Sequence, residues 1–417
     1  MRKVVVIGQG YVGLPLSEAL VEAGFKTVGL DLNRVVVDQL NSGNSHVDDI
    51  SDHTISSMIA GGYLASCDDS VISDADVIVI CVPTPLSAAG GPDLGAVEAA
   101  VKSVAENLRP GCLVVLESTT YPGTTENLVL PILEAYGHTL DTDFFLAFSP
   151  ERIDPGNKTF GLKNTPKVVG GASNESTQRA VEFYSCIVDT VVQVKGTKEA
   201  ETAKLLENTY RHINIALMNE MAKFCHELDI DLWEVIRAAK TKPFGFQAFY
   251  PGPGVGGHCI PIDPNYLSFE VERNLGYPFR FVELAQEINN SMPRYVVDRL
   301  SDALNSIGLP VKGTKVLLLG VTYKADISDQ RESPAVHVDK LLRNKGADVI
   351  FHDPHVKSWV RDGLVSESES DLASAVAAAQ AVVLLQNHSV YDVDAIAEAS
   401  ALFFDTRGVT AKNSIKL

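Results

Sequence analysis

The sequence predicts an α/β protein, two doubly wound domains joined by a long helical connector, and three observations carry that prediction. Short apolar runs alternate with helix-length segments over residues 3–194, a single amphipathic stretch opens at 197, and the alternation resumes from 315 to 408. At 417 residues the chain is long enough for two or three domains, because single cores stop growing before about 300 residues. The expected divisions are 1–196, 197–310 and 311–417.

The first element is the unit KVVVIGQG, YVGLPLSEALVEAGF, KTVGLD over residues 3–31, which reads strand, glycine turn, helix, strand. Strand-like runs follow at 76–82, 112–118, 144–149, 167–171 and 191–194, with segments long enough for helices between them. That pattern predicts a mostly parallel sheet with helices on both faces. From 197, TKEAETAKLLENTYRHINIALMNEMAKFCHELDI keeps apolar residues at helical spacing for roughly nine turns. So long a helix is no crossover; it reads as a domain-spanning core and dimer seam, or else as two shorter helices broken near Asn214. Strands at 315–320, 348–354, 381–386 and 401–408, with a helix at 333–346, then predict a smaller doubly wound domain.

The formal charge of −18 gives an acidic field that repels nucleic acid and anionic membrane surfaces, so an anionic ligand needs a local cationic pocket. No stretch reaches the ~18 apolar residues of a membrane span. The start, Met1-Arg2-Lys3 before an apolar run, is interrupted by Gly8, Gly10 and Gly13 before it becomes a secretory signal. Six cysteines are scattered with no CxxC, which fits a reduced, cytoplasmic setting.

Gly8, Gly10 and Gly13 form a GxGxxG between strand and helix, and Asp31 closes the next strand 23 residues after Gly8. Such glycines admit a pyrophosphate to a helix N-terminus, and the acid accepts hydrogen bonds from an adenosine ribose. Asp31 would repel a 2′-phosphate, so NAD is preferred; Arg34 is the residue that would favour NADP. Lys204 and Asn208 lie one helical turn apart, where they can bind a substrate oxygen and stabilise negative charge on it. Taken alone, the same pair also reads as a solvated helix face. Cys259 sits in GPGVGGHCIPIDP among glycines and prolines that let the backbone approach a ligand closely. Its possible roles are nucleophile, metal ligand or buried filler; no second Cys/His pair lies at zinc spacing, and the flanking Gly256, Gly257 and Asp263 favour the nucleophile. Cys67, Cys112, Cys186 and Cys225 read as core fillers. In the last domain Lys324, Arg331 and Ser333 precede Pro334 at a strand-to-helix turn, where a second nucleotide phosphate would bind, or where a charged loop would simply face water.

In this order VVVIGQGYVGLPL, CVPTP, ESTTYPGTTE, SPERIDPGN, AKLLENTYRHINIALMNE, FYPGPGVGGHCIPIDPNYL and GVTYKADISDQRESPA resemble the UDP-glucose and UDP-N-acetyl-hexosamine 6-dehydrogenase family over the whole chain. The resemblance implies two Rossmann-like domains, binding NAD first and UDP last, around a dimerising connector. It implies oxidation of a UDP-sugar C6 alcohol to a carboxylate with two NAD through a Cys259 thiohemiacetal and thioester. Lys204 would stabilise the oxyanion with Asn208, Asp263 would orient or activate water, Glu151 would aid thioester hydrolysis, and Thr119 would position water. Gly8, Gly10, Gly13, Asp31, Thr84 and Thr119 match the family's NAD contacts, and Lys204, Gly256, Lys324, Arg331 and Arg407 the substrate contacts. The family often has two arginines where this chain has Arg407-Gly408. His258 and Ile262 in the cysteine loop shift the match toward the N-acetyl-hexosamine branch, with UDP-N-acetylglucosamine first, UDP-N-acetylmannosamine next and UDP-glucose third. Expected partners are the UDP-sugar and further copies of the chain as a homodimer or larger homo-oligomer, with no metal. A one-step hydroxyacid dehydrogenase leaves Cys259 and the last domain without a role, and a non-catalytic NAD sensor predicts binding without turnover.

Overall fold

The computed structural model describes every residue except 1, 88–90, 155, 156, 158, 258, 259, 362 and 413. The chain divides into two compact units, Met1–Glu207 with Asn265–Tyr277, and Asn208–Pro264 with Pro278–Leu417.

The first unit is built on an eight-stranded sheet of β1 (Lys3–Ile7), β2 (Lys26–Leu30), β3 (Leu64–Ser66), β4 (Val77–Ile80), β5 (Cys112–Leu116), β6 (Phe144–Phe148), β7 (Lys167–Gly171) and β8 (Val191–Gln193), in the order β3-β2-β1-β4-β5-β6-β7-β8. Neighbours are parallel except β6 and β7, which pair Ala147 with Gly171 and Phe148 with Gly170 in opposite directions. The inner strands β4, β5 and β6 are apolar throughout because both faces are covered. Val5, Ile7, Ile78, Ile80, Val114 and Leu116 point into one core, and Val4, Val6, Val77, Val79, Leu113 and Val115 into the other. The covering helices are α1 (Gly13–Glu22), α2 (Arg34–Asn41), α3 (Asp52–Ala60), α4 (Gly95–Asn107), α5 (Leu130–Ala135) and α6 (Asn174–Tyr184).

Helix α7 (Thr197–Glu227) follows, then α8 (Leu232–Lys240), α9 (Asp263–Leu275) and α10 (Arg280–Ser306). α7 is unbroken at Asn214, whose side-chain amide donates to the carbonyl of Tyr210 one turn back at 2.8 Å. It ends where Asp229 takes φ 55°, with Asp229 N–H donating to His226 and Ile230 N–H to Cys225. That is a Schellman closure with an aspartate in the left-handed position. Asp231 then caps α8 by accepting from Glu234 N–H.

The second unit holds the smaller sheet: β9 (Lys315–Leu319), β10 (Asp348–His352), β13 (Ala381–Leu384), β14 (Phe403–Asp405) and β15 (Ile415–Lys416), all parallel in the order β10-β9-β13-β14-β15. Helices α11 (Ala335–Asn344), α12 (Leu372–Ala378) and α13 (Val393–Ala399) accompany it, and β11 (Ser358–Arg361) pairs with β12 (Leu364–Glu367) as a separate hairpin. Val316 and Leu318 face one core and Leu317 and Leu319 the other. The α/β class with two doubly wound sheets and a long helix is therefore the observed one. Strands beyond the expectation are β3 and β15, too short to carry a period, and the β11–β12 hairpin, where Trp359 is fully buried beside a 66% exposed Val360.

Leu116 is fully buried at the end of β5, within the core that underlies the loops described next. Leu116→Ala is expected to lower stability by about 2–5 kcal/mol, read as a lower unfolding midpoint in denaturant or heat.

Candidate active site

The carboxyl end of β1 is a turn shaped by its glycines. Gly8 has φ +91° and donates to Leu30 O at 2.8 Å, and a Cβ on Gly13 would lie 1.8 Å from Gly8 O. A Cβ on Gly10 would meet nothing, so that residue borders open space. α1 starts there without a side-chain cap and without an acid in its first turn. The sheet order reverses between β1 and β4, which is where open α/β sheets take their ligands. Asp31 accepts from Gln9 N–H at 2.9 Å and Asn33 N–H at 2.8 Å, which holds its carboxylate beside the same turn. These residues fit a dinucleotide: orphan helix donors and Gly10 for the pyrophosphate, Asp31 for the ribose. Arg34 is the exposed first residue of α2.

Thr84 follows β4 and Thr119 follows β5. The Thr84 hydroxyl donates to Thr119 O at 2.8 Å, and Thr84 O in turn accepts from the Tyr266 hydroxyl. Just beyond, Glu201 of α7 accepts from Thr125 N–H at 2.9 Å, from the Thr125 hydroxyl at 2.7 Å and from Gly123 N–H, tying down the turn after Thr119.

Glu151 follows β6 and is buried. One carboxylate oxygen accepts from Arg152 and Ile153 N–H, each at 2.7 Å, and the other from Lys167 Nζ at 3.0 Å. The same ammonium donates to Glu117 at 2.9 Å, and the Tyr184 hydroxyl donates to the other Glu117 oxygen. Lys204 Nζ donates to the main-chain carbonyl of Glu151. Burial pushes Glu151 up, but Lys167, the Ile153 N–H and Lys204 prevail and hold it below the usual carboxylate range. Burial wins at Glu117, which is raised although Lys167 opposes it.

In the second unit the Asn208 amide donates to Asp263 at 2.5 Å, both being buried. The cysteine loop begins at Gly252, whose N–H donates to Asn219 at 2.9 Å; Asn219 donates to Asn289 at 2.8 Å, and Asn289 to His212 Nδ1 and O at 3.4 and 3.3 Å. Cys259 and His258 lie outside the described residues. The loop's glycines press first against the chain itself. A Cβ on Gly256 would stand 2.7 Å from Glu332 O and 2.8 Å from Tyr323, and one on Gly257 2.8 Å from the Tyr323 ring. Close approach is thus required by the neighbouring 323–334 turn.

That turn carries Lys324 and Arg331. Arg331 grips Asp329 with Nε at 2.9 Å and Nη2 at 2.6 Å. Thr322 donates to Lys324 O at 2.8 Å, and the buried His388 clasps the turn by accepting Asp326 N–H at Nδ1 and donating from Nε2 to Asp353, both at 3.0 Å. Asp326, His355 and His388 offer ligand atoms within 4.8 Å of one another, but both His388 nitrogens are already engaged by those bonds. Arg407 donates to Leu385 O at 2.6 Å, and desolvation draws its guanidinium down to about 10, still charged at neutral pH. Gly408 has no room for a second arginine: a Cβ there would sit 2.1 Å from the Trp233 ring.

Of the expected core thiols, Cys112 and Cys225 are buried and Cys67 half-buried, whereas Cys186 is exposed just past the end of α6, where the next residues, Ile187 and Val188, take the core positions. Sequence reasoning missed Glu117, Asp353 and His388, polar residues placed just after apolar strands, and that placement is the signal that marks them. It also missed that Glu201, Lys204, Asn208, His212 and Asn219 form one buried polar stripe along α7, at spacings of three, four, four and seven.

His212 is fully buried, its Nε2 has no hydrogen-bond partner, and desolvation lowers its pKa from 6.5 to about 4. The native imidazole therefore stays neutral while the unfolded one takes a proton, so its contribution is complete above pH 6.5 and is lost as pH falls from there toward 4. Stability should decline over that window by at most about 3 kcal/mol more in the wild type than in His212→Leu, measured by denaturant unfolding at each pH.

The NAD-binding-domain model of the UDP-glucose/GDP-mannose dehydrogenase family matches residues 2–188, its central-domain model 198–291 and its UDP-binding-domain model 317–412. UDP-N-acetyl-D-mannosamine dehydrogenase of Methanococcus maripaludis is 34% identical over 98% of this chain and 93% of its own length. NDP-N-acetyl-D-galactosaminuronic acid dehydrogenase of Ralstonia solanacearum is 33% identical over 98% and 96%. The solved UDP-D-ManNAc dehydrogenase of Pyrococcus horikoshii superposes with a TM-score of 0.90 at 30% identity, covering 99% of this chain and 97% of that one. With its glycine turn fitted to a dinucleotide and all three family domains in sequence, the chain belongs to the UDP-glucose/GDP-mannose dehydrogenase family and is an NAD-dependent UDP-sugar dehydrogenase.

Proposed function

We propose that the chain oxidises the C6 hydroxyl of a UDP-N-acetyl-hexosamine to the carboxylate in two two-electron steps. UDP-N-acetylmannosamine stands first, since the relatives named above act by name on N-acetylated sugars and two of them on that one. UDP-N-acetylglucosamine stands second, on the form FYPGPGVGGHCIPIDP. NAD, when bound, accepts a hydride from the C6 carbon in each oxidation. The rest of the chemistry falls to the protein.

In this reading the Cys259 sulfur adds to the C6 aldehyde, giving a thiohemiacetal that is oxidised to a thioester. Water then cleaves the C–S bond, releasing the acid and the thiol. Lys204 stabilises the negative charge on the C6 oxygen, with Asn208 beside it. Asp263 orients or activates the water, Glu151 aids hydrolysis, and Thr119 positions water. Gly8, Gly10, Gly13, Asp31, Thr84 and Thr119 hold NAD, while Gly256, Lys324, Arg331 and Arg407 hold the UDP-sugar. The observation that most supports these roles is the pairing of motif residues far apart in sequence: Lys204 with Glu151, and Asn208 with Asp263.

The functional division follows the expected boundaries: NAD binding in 1–196, connector and cysteine loop in 197–310, UDP binding in 311–417. The chain acts as a homodimer or larger assembly. Tyr210, Leu217 and Phe224, seven residues apart on α7, are exposed and offer an apolar stripe for a second copy. A cytoplasmic location is supported by the free thiols of Cys67, Cys81, Cys112, Cys186 and Cys225, and no helix among the described residues is long and apolar enough to cross a membrane.

The test is the NADH formed per UDP-sugar consumed, with UDP-N-acetylmannosamine, UDP-N-acetylglucosamine and UDP-glucose compared. Two per sugar, with Cys259→Ser stopping before the acid appears, is expected; one per sugar points to a simple alcohol dehydrogenase, and none to a binding protein. Leu217→Glu is expected to shift the mass in light scattering toward the monomer, and an unchanged mass argues against the α7 seam.

A further inference from the structure

Four charge-bearing side chains, Glu117, Glu151, Lys167 and Lys204, are buried together beyond the carboxyl ends of β5 and β6, with the Cys81 thiol and Tyr184 hydroxyl beside them, none more than 9% exposed. Two are anionic and two cationic, so the set is neutral as a whole. The reading above uses Glu151 and Lys204 and leaves Glu117 and Lys167 without a task. Stability is a poor account of them, because the desolvation of a buried ion pair offsets most of its attraction.

Their geometry suggests another. Lys167 Nζ lies between Glu117 at 2.9 Å and Glu151 at 3.0 Å, and Tyr184 secures Glu117 from behind. The second Glu151 oxygen is pinned by two N–H groups, so neither oxygen can swing away. The carbonyl of the same residue receives Lys204. Lys167 reaches this place because β7 runs against β6: the first residue of an antiparallel strand lies at the carboxyl end of its neighbour.

We propose that Lys167, anchored by Glu117 and Tyr184, is a positioning residue for the oxidation, holding the Glu151 carboxylate ionised in one orientation and so fixing the carbonyl on which Lys204 rests. This rests on the reading that Glu151 and Lys204 act at the reacting carbon. Removing the Lys167 charge leaves two buried carboxylates facing each other, and Glu151 then gains a proton more readily. Removing the Glu117 charge has the opposite effect, since Lys167 is left to Glu151 alone. A merely structural pair would alter stability and leave the pH dependence of turnover where it was.

The experiment compares kcat, KM and pH profiles of the full-length wild type, Lys167→Met, Lys167→Arg, Glu117→Gln, Glu151→Gln and Lys204→Ala, with NAD and UDP-N-acetylmannosamine. Lys167→Met should lower kcat about tenfold or more, with both KM values within about twofold and the acid limb of the kcat profile moved to higher pH. Lys167→Arg should restore most of that kcat. Combined with Glu151→Gln, Lys167→Met should add less than about twofold, since the two act through one group. Glu117→Gln should move the acid limb to lower pH, and it decides the matter alone should Lys167→Met fail to fold. An unmoved limb in both variants, or full additivity with Glu151→Gln, overturns the proposal. If Glu151→Gln or Lys204→Ala leaves turnover intact, the reading of the site falls and this inference with it; if those abolish turnover while Lys167→Met and Glu117→Gln leave the profile unmoved, only this inference falls.

Discussion

A parallel sheet covered on both faces leaves little room for polar side chains along its strands, and the strand interiors of both units largely obey that constraint. β4, β5 and β6 are apolar from end to end, with alternate residues committed to opposite cores. Most candidate site residues of the first unit are therefore displaced past a strand's carboxyl end, the glycine turn after β1, Thr84 after β4, Glu117 and Thr119 after β5, and Glu151 after β6, while Lys167 heads β7 and Lys204 stands on α7. The second unit repeats the arrangement, with Lys324 after β9, Asp353 after β10, His388 after β13 and Arg407 after β14. The site is a consequence of the cores.

The price of that arrangement is desolvated charge, and the structure meets it by local pairing. Lys167 lies between two carboxylates, Asn208 reaches Asp263, and Asp353 accepts from His388. Arg361 is paired in the same way, forking onto Asp339 at 2.8 and 3.1 Å with both side chains buried. In each case removal of one partner strands the other in a low-dielectric surrounding, which is costlier than replacing both. The one break in parallel order, at β7, places a cation where two strand-end carboxylates converge.

Much of this was legible in the sequence. Apolar runs bounded by glycine gave the strands, helical spacing gave α7 as a single helix, and the glycine turn with Asp31 gave the cofactor. Lys204, Asn208, Glu151 and Asp263 could be named from motifs, yet nothing in the residues told which of them touch. The direction of β7 was illegible because KVVGG is equally apolar whichever way it runs. Lys167 at its head reads as an exposed strand end until a buried partner appears. The glycines before Cys259 were read as room for close approach by a ligand, and on the side where a Cβ would stand on Gly256 or Gly257 the close neighbours are Tyr323 and Glu332 of the same unit. Tertiary partners that come from distant loops leave no local period.

The buried polar stripe along α7 has a consequence for how this chain can change over generations. Within the second unit Asn208, His212 and Asn219 satisfy Asp263, Asn289 and Gly252 from one helix face. Inserting or deleting a single residue among them would turn everything downstream by about 100° and slide it ~1.5 Å along the axis. No neighbour could follow several residues at once. Substitutions can accumulate on the solvent side of this segment, but its length is frozen: between residues 208 and 219 the helix works as a ruler.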